Sequence, residues 1–111
     1  MDKELLAKKR VLIVGDSMLD KYWFGDANRI SPEAPVPVVR IVRCDERLGG
    51  AANVALNVAS LGVRTTLMGV VGNDENGAKL RELLDKAGIC SHLKNDPERK
   101  TILKLRIVAR Q

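Results

Sequence analysis

Aromatic side chains are nearly missing from this sequence: of 111 residues only Tyr22, Trp23 and Phe24 carry one, in a single consecutive run. Any core must therefore be assembled from Val, Leu, Ile and Ala. The scarcity also speaks against nucleic acid as a partner, because single-strand binders space stacking rings along a basic groove. A net charge of +5 does not restore that reading. Lys79, Arg81 and Lys86 alternate with Glu75, Glu82 and Asp85 instead of gathering into one stripe. A small anionic substrate suits so mild a positive balance.

Cysteine is scarce too. Cys44 and Cys90 are too few for a disulfide scaffold and lack metal-ligand spacing, so two reduced thiols of a cytoplasmic protein are expected. No apolar run approaches the roughly 18 residues that cross a bilayer, and no membrane partner is expected. The segment Met1–Arg10 is charged throughout and does not read as a signal peptide. His92, the one histidine, sits beside Ser91 in a polar connection, and sequence neighbours rarely form a catalytic Ser–His pair. Neither a Gly-x-x-x-x-Gly-Lys-Ser/Thr loop nor Gly-x-Gly-x-x-Gly follows the first apolar run, which disfavours P-loop enzymes and nucleotide-binding oxidoreductases.

What the sequence does contain is the material of one α/β domain. Val11–Val14 is a short apolar run ending at Gly15, the pattern of a strand covered on both faces. Before it, Asp2–Arg10 can form a short helix with Leu5 and Leu6 inward. From Lys21 to Leu48, Pro32, Pro35 and Pro37 forbid a helix, and imperfect alternation over Val36–Arg43 predicts a loop with one or two exposed strands. Gly49-Gly50 opens a helix over Ala51–Leu61, with Val54, Val58 and Leu61 at helical spacing and Gly62 as its stop. Thr65–Val71 is a second apolar strand. Asn73 or Asp74 caps the next helix, which runs to about Ala87 with Leu80, Leu83 and Leu84 inward and Gly88 as terminator. Asn95-Asp96-Pro97 reads as a turn and Thr101–Ala109 as a final strand. Strands alternating with helices predict a mainly parallel core sheet. Two helices cannot cover both faces of such a sheet, so a longer natural chain is expected.

Three segments hold candidate chemistry. Asp16 and Asp20 follow the first strand, where open α/β sheets place their ligand crevice. A carboxylate there can accept hydrogen bonds from neighbouring hydroxyls, which suits a polyol, although a cap or turn role is open for Asp16. Gly49 and Gly50 let a ligand approach the free N–H groups of a helix start, and Asn53 adds both a donor and an acceptor. A plain glycine turn is the alternative. The third segment, Gly69–Gly77, reads as structural, with Asp74 as a helix cap.

Taken in order, these segments resemble the ribokinase-like family of carbohydrate kinases. The resemblance rests on Val14-Gly15-Asp16-Ser17-Met18-Leu19-Asp20-Lys21-Tyr22-Trp23 and on Arg29-Ile30-Ser31-Pro32-Glu33-Ala34-Pro35-Val36-Pro37-Val38. Leu48-Gly49-Gly50-Ala51-Ala52-Asn53-Val54-Ala55 and Thr101-Ile102-Leu103-Lys104-Leu105-Arg106 extend it over nearly the whole chain. The similarity is greatest to the branch that phosphorylates heptose 7-phosphate, alone or fused to an adenylyltransferase. It implies a three-layer ribokinase-like fold with a parallel core sheet and a protruding β-lid over residues 21–48, with Tyr22–Arg43 as the lid proper. It further implies that Asp20, Gly49, Gly50 and Asn53 hold sugar hydroxyls and that lids pair into a homodimer. Arg29, Lys104 and Arg106 are candidates for the substrate phosphate, since guanidinium and ammonium groups suit it. The family reaction uses ATP and Mg2+ and a catalytic Asp in a glycine-rich motif. No Asp-x-x-Gly-x-Gly-Asp occurs after Asp74, so residues 1–111 are expected to be the sugar-holding amino-terminal part, inactive alone and binding neither cofactor. A non-catalytic sugar-binding or dimerising module, or another sugar kinase of the same family, are the alternative readings.

Overall fold

A computed structural model describes residues 2–33 and 35–110. Ala34, inside the Arg29–Val38 motif, lies outside the described residues. The chain opens with the short helix α1 (Lys3–Ala7), whose first turn is capped by Asp2 Oδ1 accepting from the N–H of Glu4 and of Leu5 at 2.9 and 3.2 Å. Leu5 stays exposed and only Leu6 is half-buried, contrary to the expectation for both. The first strand, β1 (Arg10–Val14), follows.

Two fourteen-residue strands come next, β2 (Ser17–Ile30) and β3 (Pro37–Gly50), paired antiparallel from Ser17↔Gly50 to Ile30↔Pro37. The flap expected over residues 21–48 is thus a long hairpin that begins four residues earlier. Asp20 sits within a strand and not in a loop after β1. The sequence hides this because the prolines cluster at the turn, while Ser17–Phe24 mixes polar and apolar residues without clean alternation.

Helix α2 (Ala51–Ser60), strand β4 (Arg64–Gly72), helix α3 (Glu75–Lys86), strand β5 (Cys90–Asp96) and strand β6 (Ile102–Arg110) complete the order. Positive-φ glycines follow the ends of α2 and α3 at Gly62 and Gly88, as their C-terminal positions require. The core sheet is parallel with order β1-β4-β5. Its third strand, β5, is a connection in the sequence reading, because Leu93 is the one apolar residue in Ser91–Asp96. An edge strand needs only that single inward side chain. The last strand, read correctly as a strand, joins the lid: β6 lies parallel to β2 in a separate sheet of order β3-β2-β6.

The core lies where α2 and α3 cover one face of the β1-β4-β5 sheet: Ala52, Ala55, Leu67, Val71, Leu80, Leu84, Ile89 and Leu93, with Leu48 from the root of the lid. The contact face of α2 is alanine. Val54 and Leu61, expected on the inward face, are 51% and 50% exposed, whereas Ala52 and Ala55 are fully buried. Small side chains let the helix approach the sheet closely, and the larger ones sit outside. On the other face of the sheet Leu12, Val14, Met68 and Val70 are exposed.

Candidate functional site

The root of the lid is where the chemistry gathers. Asp20 stands in the middle strand of the lid sheet, directly opposite Arg47 on β3 and Lys104 on β6. Leu19 beside it is fully buried, which fixes the pleat and turns Asp20 to the other face. The Asp20 Oδ1 atom is buried and has no hydrogen-bond partner, as does Ser17 Oγ. A buried carboxylate oxygen without a donor costs its full desolvation, so a hydroxyl or N–H from a ligand is its natural complement.

Gly49 and Gly50 are both needed beside it. A Cβ at Gly49 would lie 2.6 Å from Asp20 Oδ1 and 2.7 Å from Met18 Cγ, so no side chain fits. Gly50 has φ +58°, where L side chains are strained, and a Cβ there would collide with the Asp16 carbonyl. That carbonyl accepts a hydrogen bond from Ala51 N at 2.8 Å, tying the chain after β1 to the start of α2. No side chain caps α2, which leaves further N–H groups of its first turn available next to Asp20. Asn53 lies on that first turn. With Asp20, Tyr22, Arg47, Leu48 and Leu56 it lines a cleft of about 420 Å³.

The other sequence candidates separate. Asp16 contributes its backbone to the α2 junction, while its residue lines a second cavity of about 210 Å³ with Arg99 and Lys100. It does not share the Asp20 cleft. Lys104 and Arg106 stand on β6 opposite Asp20 and Tyr22. Arg29 lies near the far end of the hairpin, in a hollow of about 630 Å³ with Asp26 and Arg40. Nine residues of strand separate it from Asp20, about 30 Å. Among the residues the sequence reading did not propose for the site, Tyr22, Glu46 and Arg47 line the cleft. Only the hairpin register, Asp20↔Arg47, could have pointed to them.

The third segment is structural, as expected. Asp74 caps α3, accepting from Gly77 N at 2.8 Å, from Thr101 N at 2.9 Å and from Thr101 Oγ1 at 2.6 Å. The Thr101 hydroxyl in turn accepts from Gly72 N at 3.0 Å. These donors, the Thr101 hydroxyl first, hold the Asp74 carboxyl below the usual carboxylate range despite the opposing effect of burial. The lid strand β6 is thereby fastened at its base to the core.

The model of the pfkB family of carbohydrate kinases matches residues 8–111. The chain belongs to that family. Among its relatives, the D-beta-D-heptose 7-phosphate kinase of Bordetella bronchiseptica is 56% identical over 108 residues, 97% of this chain and 34% of that protein. The bifunctional protein HldE of Methylococcus capsulatus is 61% identical over 102 residues, 92% of this chain and 22% of that protein. This pfkB chain therefore spans about a third or less of the relatives it matches. A carbohydrate kinase from Agrobacterium tumefaciens superposes with TM-score 0.73 at 23% identity, over 92% of this chain and 32% of that one. Its likeness carries the fold, and the ribokinase-like architecture expected from the motifs is the one present. No helix among the described residues is long and apolar enough to cross a membrane.

Proposed function

We propose that this chain is the sugar-holding, amino-terminal part of an ATP-dependent kinase acting on heptose 7-phosphate. The complete enzyme would transfer the γ-phosphoryl group of ATP to the anomeric hydroxyl, giving heptose 1,7-bisphosphate for ADP-heptose and lipopolysaccharide core synthesis in the cytoplasm. The observation that carries the sugar site is the buried, unpartnered Asp20 Oδ1 against Gly49. The heptose chemistry comes from relatives more than half identical over nearly the whole chain.

In this reading Asp20 accepts from sugar hydroxyls, and Gly49, Gly50 and Asn53 offer the α2 start to others. Asp16 shapes the junction through its carbonyl. Lys104 and Arg106 face the substrate's phosphate, and Arg29, at the hairpin tip, serves it only if a second subunit brings it near. Lids pair into a homodimer, with β6 offering an edge strand and the exposed Leu103, Leu105 and Ile107.

ATP supplies the phosphoryl group and Mg2+ neutralises its charge in the family reaction. Among the described residues no group of three or more His, Cys, Asp or Glu is gathered that could hold a metal ion by protein ligands alone. Mg2+ in such kinases is carried largely by the nucleotide phosphates, one or two carboxylates and water. In this reading the part played by residues 1–111 is to hold the sugar. Calorimetry on the full-length protein tests the site. Asp20→Asn should weaken heptose 7-phosphate binding by about 1–3 kcal/mol, the worth of a charge-assisted hydrogen bond. Unchanged affinity removes Asp20 from the site.

A further inference from the structure

The grouping that extends the expected set is a rung of charge and aromatic rings across the lid, in which Arg47 and Tyr22 join Arg106. Tyr22 lies on β2 two residues beyond Asp20, so on the same face and about 7 Å further along. From one side Arg47 places its guanidinium 4.5 Å above the Tyr22 ring, and from the other Arg106 stands 5.9 Å from the same ring centroid. Arg47 is also held by Asp45 Oδ2 at 3.0 Å through one of its five donors. Among the described residues no other group claims the remaining donors, and no carboxylate pairs with Arg106 or Lys104. Glu46, also in the cleft wall, would repel an anion, but Lys21 and Lys79 each hold it at 3.9 Å.

We propose that Arg47, paired with Arg106 across the Tyr22 ring, is a specificity-determining residue that selects a phosphorylated over an unphosphorylated sugar. The inference rests on the sugar-kinase reading above and adds to it the residue that reads the phosphate. Stacking and the Asp45 contact fix the planar fork before the ligand arrives, so less side-chain freedom is lost on binding than for a free arginine. A dianionic phosphate between two guanidinium groups gains charge-assisted bonds that a hydroxymethyl group cannot. The next rung up the lid, Arg43 at 4.0 Å over Phe24, repeats the stacking, but among the described residues no second guanidinium lies over that ring, and Arg43 does not line the cleft. Arg43 is therefore the internal control.

The test uses the full-length protein and calorimetric titration with heptose 7-phosphate and with the unphosphorylated heptose, and inorganic phosphate as a competitor. Arg47→Ala should cut affinity for the phosphorylated sugar about tenfold or more and cost the plain sugar a much smaller factor. Competition by phosphate should weaken in parallel. Equal losses for both sugars, or no loss for either, overturn the assignment while leaving the sugar site standing. An Arg43→Ala loss as large as that of Arg47→Ala also overturns it, by showing diffuse charge at work. A wild-type protein that binds neither sugar overturns the sugar-kinase reading and this assignment with it.

Discussion

Thr101 does more at a single position than its type advertises. Its hydroxyl donates to Asp74 and accepts from Gly72 N, and its own N–H reaches the second oxygen of Asp74. Thr101→Val keeps the shape and removes the hydroxyl, leaving a buried N–H and a carboxylate short of a partner. The expected loss is about 1–3 kcal/mol by urea unfolding at neutral pH. The acid branch gives a second check. Asp74 is depressed in the folded state, so its contribution is fully present above the ordinary value of 3.8 and disappears as pH falls through the lower folded value. The gap between wild type and Thr101→Val should close in that acid range. A gap that stays constant down to pH 2 would detach Asp74 from the effect. Sequence alone identified Asp74 as a cap, since Asp-Glu ahead of an amphipathic run is a local signal. Its partnership with Thr101, 27 residues away, had no local signature.

At the scale of elements, the helices α2 and α3 and the strands β1, β4 and β6 were legible because each carries its own periodicity or apolar run, and the short α1 was expected within Asp2–Arg10. β5 and the root of β2 were not: β5 is an edge strand with one buried apolar side chain, Leu93, and the buried face of the β2 root pairs polar Ser17 with Leu19, so it does not read as an apolar alternation. The face of α2 was misassigned for a related reason: valine attracts notice in a hydrophobic pattern and alanine does not, yet close approach to a sheet selects the smaller residue. Ala55→Leu should therefore overpack the α2–β4 contact and cost about 1–3 kcal/mol in thermal unfolding. Val54→Ser, on the exposed side, should stay within about 0.5 kcal/mol. The reverse ranking would show that the valine face is the packed one.

For the molecule as a whole, the principal extents of 60 × 38 × 18 Å reflect a lid standing well clear of a small core. The candidate site reads from sequence only in part for the same reason. Asp20, Gly49, Gly50 and Asn53 announce themselves through short motifs, while Arg47 and Tyr22 become neighbours of Asp20 only when the hairpin closes. The proposed lid dimer makes a prediction at this scale. In the full-length protein Ile107→Lys, on the exposed side of β6, should shift sedimentation from dimer to monomer at micromolar concentration. An unshifted dimer would place the interface elsewhere.

The fastening of β6 at Thr101 has a mechanical meaning. Nine residues of strand project from that point, an arm of about 30 Å, and a tilt of about 10° at its base would carry the far end about 5 Å. Lys104, opposite Asp20, lies only three residues, about 10 Å, from the pivot. The same tilt moves it less than about 2 Å. In the proposed site a sugar at Asp20 would sit near the fulcrum, beside groups that such a tilt barely displaces, while the far end of β6 would travel the most.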